Sequence, residues 1–257
     1  MRVKAFLNIS PIGQPGAGIA EPLQEACFLP QEMENILERY QDVICGLKVR
    51  ISKEIVGELG LTPLKHAIAL GEKFHLPVCV HTTNPPSSTE DIARLLRPGD
   101  IYSHTYQGKG HTIIDDQGKV FPALKQAQKD GVLFEVGQGR YNLDEKIVEK
   151  ALADNFYPDI ISTDATPRTM FIAQQMRSLP NMMSKFLHWG MSWSDVIKAS
   201  IVKPAELLGK QRDLAILEPG TTADLVIFDF QEKGTQQVFV PYMTIAQGQM
   251  VYCQTNF

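Results

Sequence analysis

Short apolar runs alternate with segments of helical period along most of the chain. The runs are Val3–Ile9, Val43–Ile51, Pro77–Thr82, Asp100–Tyr106, Gly131–Gly137 and Asp159–Asp164. Each has strand length, so each predicts a β-strand. Between them Met33, Ile36, Leu37 and Tyr40 recur at helical spacing. So do Leu64, Ala67 and Ile68, and then Ile147, Val148, Ala151 and Leu152. Thr62-Pro63 predicts an N-cap followed by proline at the first helical position. Ser192 and Asp195 predict a capping box.

Strand–helix alternation implies parallel strands joined by crossover helices. A (β/α)8 TIM-type barrel fits, because short continuous apolar strands suit a sheet covered by helices. A doubly wound sheet is the competing topology. After Leu208-Gly209 the character changes, and Ala223–Phe230 and Val238–Val251 read as strands with turn chemistry at Glu218-Pro219-Gly220. The expected organisation is a partial barrel over 1–209 and part of a small β-sandwich over 210–257. Six barrel-type runs are present, where a closed barrel needs about eight. An open sheet of that kind exposes unpaired edges. Either strands escape the pattern, or the chain is the C-terminal part of a longer product whose first two barrel strands lie upstream.

The chain has 257 residues, of which 44% are hydrophobic and 21% charged, with a formal net charge of −4. That balance excludes intrinsic disorder and gives no general pull toward nucleic acid or an anionic membrane. No apolar run approaches the roughly 18–20 residues that span a bilayer. Cys27, Cys45, Cys79 and Cys253 show no C-x-x-C spacing. They predict reduced cysteines in a cytoplasmic setting.

Candidate chemistry sits at strand ends, where such barrels build their active sites. In Val43–Ile51, alternation puts Val43, Cys45, Leu47, Val49 and Ile51 on one apolar face and Ile44, Gly46, Lys48 and Arg50 on the other, inward face. Lys48 has three readings: a strand-end lysine paired with a carboxylate, a Schiff-base lysine, or a lysine carbamate bridging metals. His81, His104 and Asp164 end three further runs. Imidazole and carboxylate ligands suit zinc and similar divalent ions. A carboxylate beside such an ion can take the proton of water and return it to a leaving group. Asp164 is the candidate for that role. Asn84, Tyr106, His111 and Arg168 lie in post-strand loops and are candidates for contact with a small-molecule substrate.

Gly-Leu-Lys48-Val-Arg, Val-His81-x-x-Asn-Pro-Pro, Ser-His104-x-Tyr-x-Gly-Lys and Ser-Thr-Asp164 together resemble the amidohydrolase superfamily, in its dihydroorotase-like amidohydrolase/deacetylase branch. Met183–Met191 and Leu217–Asp229 also resemble that branch. The resemblance implies a binuclear metal centre, with Lys48 carbamylated by carbon dioxide and bridging two ions. It implies that His81 and His104 hold one ion, and that Asp164 holds the other and acts as general base. The implied reaction is hydrolysis of an amide, an ester or a cyclic amide of a small metabolite, including deacetylation. The superfamily's His-x-His pair is absent from this sequence, so the chain alone is expected to bind metal weakly and turn over little substrate. Two rival readings are a Schiff-base aldolase barrel using Lys48 and a non-catalytic remnant acting as a binding subunit. The expected partner is the substrate, with no nucleic acid or membrane, and homo-oligomer formation is left open.

Overall fold

The computed structural model describes residues 3–15, 20–172, 178–209, 214–233 and 236–254. These fall into two compact units. One comprises Met1–Glu135 with Tyr141–Phe156, the other Val136–Arg140 with Tyr157–Phe257.

The first unit holds a parallel sheet of β1 (Ala5–Asn8), β2 (Ile44–Arg50), β3 (Val78–His81), β4 (Ile101–Ser103) and β5 (Leu133–Glu135). Its helices are α1 (Pro30–Arg39), α2 (Lys53–Val56), α3 (Thr62–Phe74), α4 (Thr89–Leu95), α5 (Pro122–Lys129) and α6 (Glu145–Ala153). The strand order is strictly sequential, β1-β2-β3-β4-β5. A doubly wound sheet reverses its order at a switch point; sequential parallel neighbours are the topology of a barrel wall. The sheet is therefore a partial (β/α) barrel.

Alternation decides what each face does. Leu47, Val49, Val78, Val80 and Phe134 are fully buried on one face, and Leu64, Ala67, Ile92, Leu124 and Val148 of the helices are fully buried as well. Tyr102 stacks on Phe134 at 5.2 Å, and Phe134 meets Phe156 edge-on at 4.9 Å. The opposite face carries Lys48, Cys79, His81, Ser103 and Glu135, set side by side by the registers Lys48↔Cys79 and Arg50↔His81↔Ser103↔Glu135.

Gly71 fixes how closely α3 lies on this sheet. A Cβ there would stand 2.9 Å from Leu76 O, 2.9 Å from Val78 Cγ2 and 2.6 Å from Arg97 Nη2. Alanine normally gains about 1 kcal/mol over glycine inside a helix. Overpacking against a fixed carbonyl costs about 1–3 kcal/mol, so Gly71→Ala is expected to lower the urea midpoint rather than raise it.

Three expectations need correction. Thr62 is already the first residue of α3, whose N-cap position is Leu61 with no side-chain cap, although Pro63 stands in the first turn as expected. The Asp159–Asp164 run forms no strand. It lies in the second unit and bonds to Val136–Gly139 through Val136 N–H to Ile160 O and Gly139 N–H to Thr163 O. Ile161 N–H turns instead to Ala199 O, which divides its bonding between two neighbours. Val238–Val251 is two strands rather than one, because Gln247 and Gly248 both take positive φ (51° and 78°) and reverse the chain. Two such residues make the hairpin turn that suits twisted strands.

The second unit contains α7 (Leu179–His188), α8 (Trp193–Ile197) and α9 (Lys203–Leu207). Its antiparallel sheet has the order β6 (Leu225–Lys233), β7 (Gln236–Ala246), β8 (Gln249–Cys253). The N-cap half of the predicted capping box is present: Asp195 N–H donates to Ser192 Oγ at 3.1 Å, and Ser192 Oγ donates to Asp195 Oδ2 at 2.6 Å. Trp193 packs on Phe230 and Phe239 at 4.1 and 4.5 Å. Phe239 N–H donates to Ser184 Oγ at 2.9 Å, which fixes β7 to α7.

Candidate active site

The C-terminal ends of β2, β3 and β4 bring three of the anticipated groups to one rim of the first unit. Lys48 leaves the inward face of β2 and donates from Nζ to Cys79 Sγ at 3.2 Å. Its neighbour is thus a thiol, not a carboxylate. Burial pushes that thiol's pKa up against the pull of Lys48, which keeps it protonated.

His81 ends β3. Ser52 Oγ donates its one hydrogen to Thr83 O at 2.6 Å and lies 3.0 Å from His81 Nε2. The serine oxygen must then accept from Nε2–H, so the proton sits on Nε2 and Nδ1 carries the lone pair. His104 follows β4 directly, 5% exposed, in the left-handed region at φ 68°. That conformation is uncommon for a residue with a Cβ and turns the ring off the strand direction. The His81 and His104 rings meet edge-to-face, 4.5 Å between centroids.

His81 is held well below its usual 6.5, first by burial and then by the positive charge facing it from His104, Lys48 and Arg50. The folded, metal-free protein therefore keeps this ring neutral where the unfolded chain protonates it. The unfolded state binds more protons there, so stability falls as pH drops below about 6.5, by at most about 1.4 kcal/mol per pH unit from this group. Urea unfolding at pH values from about 7.5 to about 5 checks the slope, which His81→Gln should flatten.

Asn84, at φ 51°, donates from Nδ2 to Glu54 Oε2 at 2.8 Å. Gln107 ties the loops together: its Oε1 accepts from Lys109 N–H at 2.8 Å and Asn84 N–H at 3.3 Å, while Nε2 donates to His111 O at 2.8 Å. His111 lines a cavity of about 290 Å³ with Ser88, Thr89, Thr112, Asp115 and Phe121. Tyr106 is not brought to the rim; it is 0% exposed and its hydroxyl donates to Phe156 O at 3.3 Å. Asp164 and Arg168 belong to the second unit. Both are exposed, Asp164 at φ 48° and Arg168 at the head of the π-helical turn Arg168–Ile172.

Two groups on the rim were not singled out from sequence. Ser103 Oγ donates to Glu135 Oε2 across β4 and β5, which places a carboxylate on the inward face. Ser52 orients His81. Glu135 was legible, since it is a lone carboxylate inside the apolar run Gly131–Gly137. Ser52 carried no such signal.

The donors suit a divalent ion in part. His81 is neutral, with one nitrogen anchored and the other carrying a lone pair, and His104 stands beside it. Among the described residues, no three His, Cys, Asp or Glu side chains gather into a metal-holding group.

The sequence profile of the amidohydrolase family matches residues 24–251. The chain belongs to that family. It is 30% identical over 231 residues to a deacetylase of Agrobacterium fabrum, covering 89% of this chain and 56% of the relative. A deacetylase of Enterococcus faecalis is 29% identical over 201 residues, covering 77% and 54%. The chain thus spans little more than half the length of these relatives. Among solved structures, a dihydroorotase superposes with a TM-score of 0.86 at 26% identity, over 98% of this chain and 69% of its own. An adenine deaminase superposes with a TM-score of 0.85 at 26% identity, over 98% and 71%. No helix among the described residues is long and apolar enough to cross a membrane.

Proposed function

We propose that this chain belongs to a metal-dependent hydrolase that removes an acetyl group from a small metabolite, or opens a related amide or ester. The observation that carries this reading is the His81–His104 pair, two imidazoles 4.5 Å apart at the ends of neighbouring strands. His81 and His104 would hold a divalent ion, zinc by the softness of imidazole, with Lys48 as a third donor once carbamylated. Such an ion polarises a scissile carbonyl and lowers the pKa of water. Ser52 fixes the tautomer of His81, and burial excludes its protonated form. The resemblance gives Asp164 the role of general base. The free cysteines agree with a reducing, cytoplasmic compartment.

The test pairs metal content with acetate release. Protein grown with zinc and bicarbonate is assayed against N- and O-acetylated small metabolites. The expected result is slow acetate release, because the donor set is partial, abolished by a chelator and by His81→Ala. Release that survives both overturns the reading. The absence of a three-residue donor group among the described residues favours a second reading, a non-catalytic binding subunit. Protein that holds no zinc and releases no acetate decides for it.

A further inference from the structure

Lys48 and Cys79 form a pair that the hydrolytic reading does not use. The register Lys48↔Cys79 sets them side by side on the inward face of β2 and β3, and Lys48 Nζ donates to Cys79 Sγ at 3.2 Å. Ser103 and Glu135 also act on that thiol, so its surroundings are polar, and Cys79 is half-buried. The other three cysteines meet only oxygen. Cys27 donates to Gln24 Oε1 at 3.6 Å, Cys45 to Ala5 O at 3.5 Å and Cys253 to Gln254 O at 3.8 Å. A carbonyl oxygen does not condense with an oxidised sulfur, whereas a nitrogen does.

A thiol is a weak acceptor for a lysine. A carboxylate opposite Lys48 would hold it better, so stability does not explain a cysteine at this position. Reactivity does. Oxidation turns a thiol into a sulfenic acid, whose electrophilic sulfur condenses with a neighbouring nucleophile. Without such a neighbour, oxidation runs on to sulfinic acid, which thiols do not reverse. Lys48 Nζ already stands in contact with that sulfur. Its four-carbon stem is flexible, so closing the gap takes side-chain torsions and no movement of the strands.

We propose that hydrogen peroxide joins Cys79 to Lys48 through a reversible sulfenamide bond, which withholds Lys48 from carbamylation and switches the site off. In the first step the thiol and one peroxide give a sulfenic acid and one water; sulfur is oxidised and peroxide reduced. In the second step the Nζ lone pair attacks Sγ and forms the S–N bond. The sulfenic hydroxyl leaves with one amine hydrogen as water. Two external thiols reverse the reaction: they become a disulfide and return the Cys79 thiol and the Lys48 amine. Burial holds the thiol protonated, so the first step is slow and only sustained peroxide throws the switch. The regulatory meaning rests on the hydrolase reading, in which Lys48 becomes a metal donor; the bond itself rests on the pair alone.

The metal-free full chain is treated with excess peroxide, digested without reductant and analysed by mass spectrometry. The expected product is a Cys79 peptide joined to a Lys48 peptide, lighter than the two separate peptides by two hydrogens and split by dithiothreitol. Cys79→Ser should give no such product. Lys48→Met should carry Cys79 on to sulfinic acid. Prior loading with zinc and bicarbonate should suppress the bond, because a carbamate nitrogen has lost its nucleophilic lone pair to the new carbonyl. Sulfinic acid at Cys79 beside an unmodified Lys48 in the unaltered protein overturns the proposal, and so does a Cys79 that peroxide leaves untouched. A bond that forms equally fast with and without zinc and bicarbonate stands as chemistry, but it removes the switch and the reading of Lys48 as a metal donor together.

Discussion

Asp100→Ala is expected to cost about 3–5 kcal/mol of folding stability, the range for stranding one partner of a buried ion pair. Asp100 immediately precedes β4, at the end of the sheet opposite His81, with its side chain 1% exposed. Its Oδ1 accepts from Val78 N–H and Arg97 Nη2, each at 2.8 Å. Its Oδ2 accepts from Arg97 N–H at 2.8 Å and Arg97 Nε at 3.0 Å. Arg97 Nη2 also reaches Leu76 O at 3.0 Å, across the space that Gly71 leaves open. One carboxylate thus joins the start of β3, the turn before β4 and the end of α3. Alanine would leave the Val78 amide, the Arg97 amide and Arg97 Nε without their acceptor, and the guanidinium with Leu76 O alone. Against a total stability of about 5–15 kcal/mol, that loss is decisive. Urea unfolding measures it as a lower midpoint at unchanged m-value. Asp100→Asn, which keeps an acceptor for Val78, should cost visibly less. A change of under about 1 kcal/mol for Asp100→Ala would show that water reaches these donors.

The barrel-like sheet was readable because its strands bury one face completely. Leu47, Val49, Val78 and Val80 mark β2 and β3 by alternation alone, and the inward position of Lys48 followed from the same period. Strand ends were less readable. His104 lies beyond β4 because it takes a left-handed conformation, which no hydropathy pattern signals. The Asp159–Asp164 run has strand composition, yet its carbonyls accept from Val136 and Gly139 while Ile161 N–H donates to Ala199 O, so composition alone overcounts strands. Tyr106 sits in a post-strand loop by sequence, but its ring fills the core because loop position does not fix side-chain direction. Lys48 and Cys79 are 31 residues apart, and only the fold brings them together.

Ser52→Ala is expected to weaken zinc binding about 10–100-fold, the usual effect of removing a group that orients a metal-binding imidazole. His81→Ala should remove the binding outright. The reasoning starts from one proton. Ser52 Oγ gives its hydrogen to Thr83 O, so it can only accept from His81, and that fixes the histidine proton on Nε2. Without the serine the imidazole can take either tautomer and rotate, and the lone pair on Nδ1 is no longer guaranteed. Competition with a chromophoric chelator reads the affinity directly, without turnover. Ser52→Thr, which keeps the hydroxyl, should recover most of the loss. If Ser52→Ala binds zinc as the unaltered protein does while His81→Ala does not, then His81 is a ligand that orients itself. If both variants match the unaltered protein, the metal is held elsewhere, and the pair of imidazoles loses its assigned role.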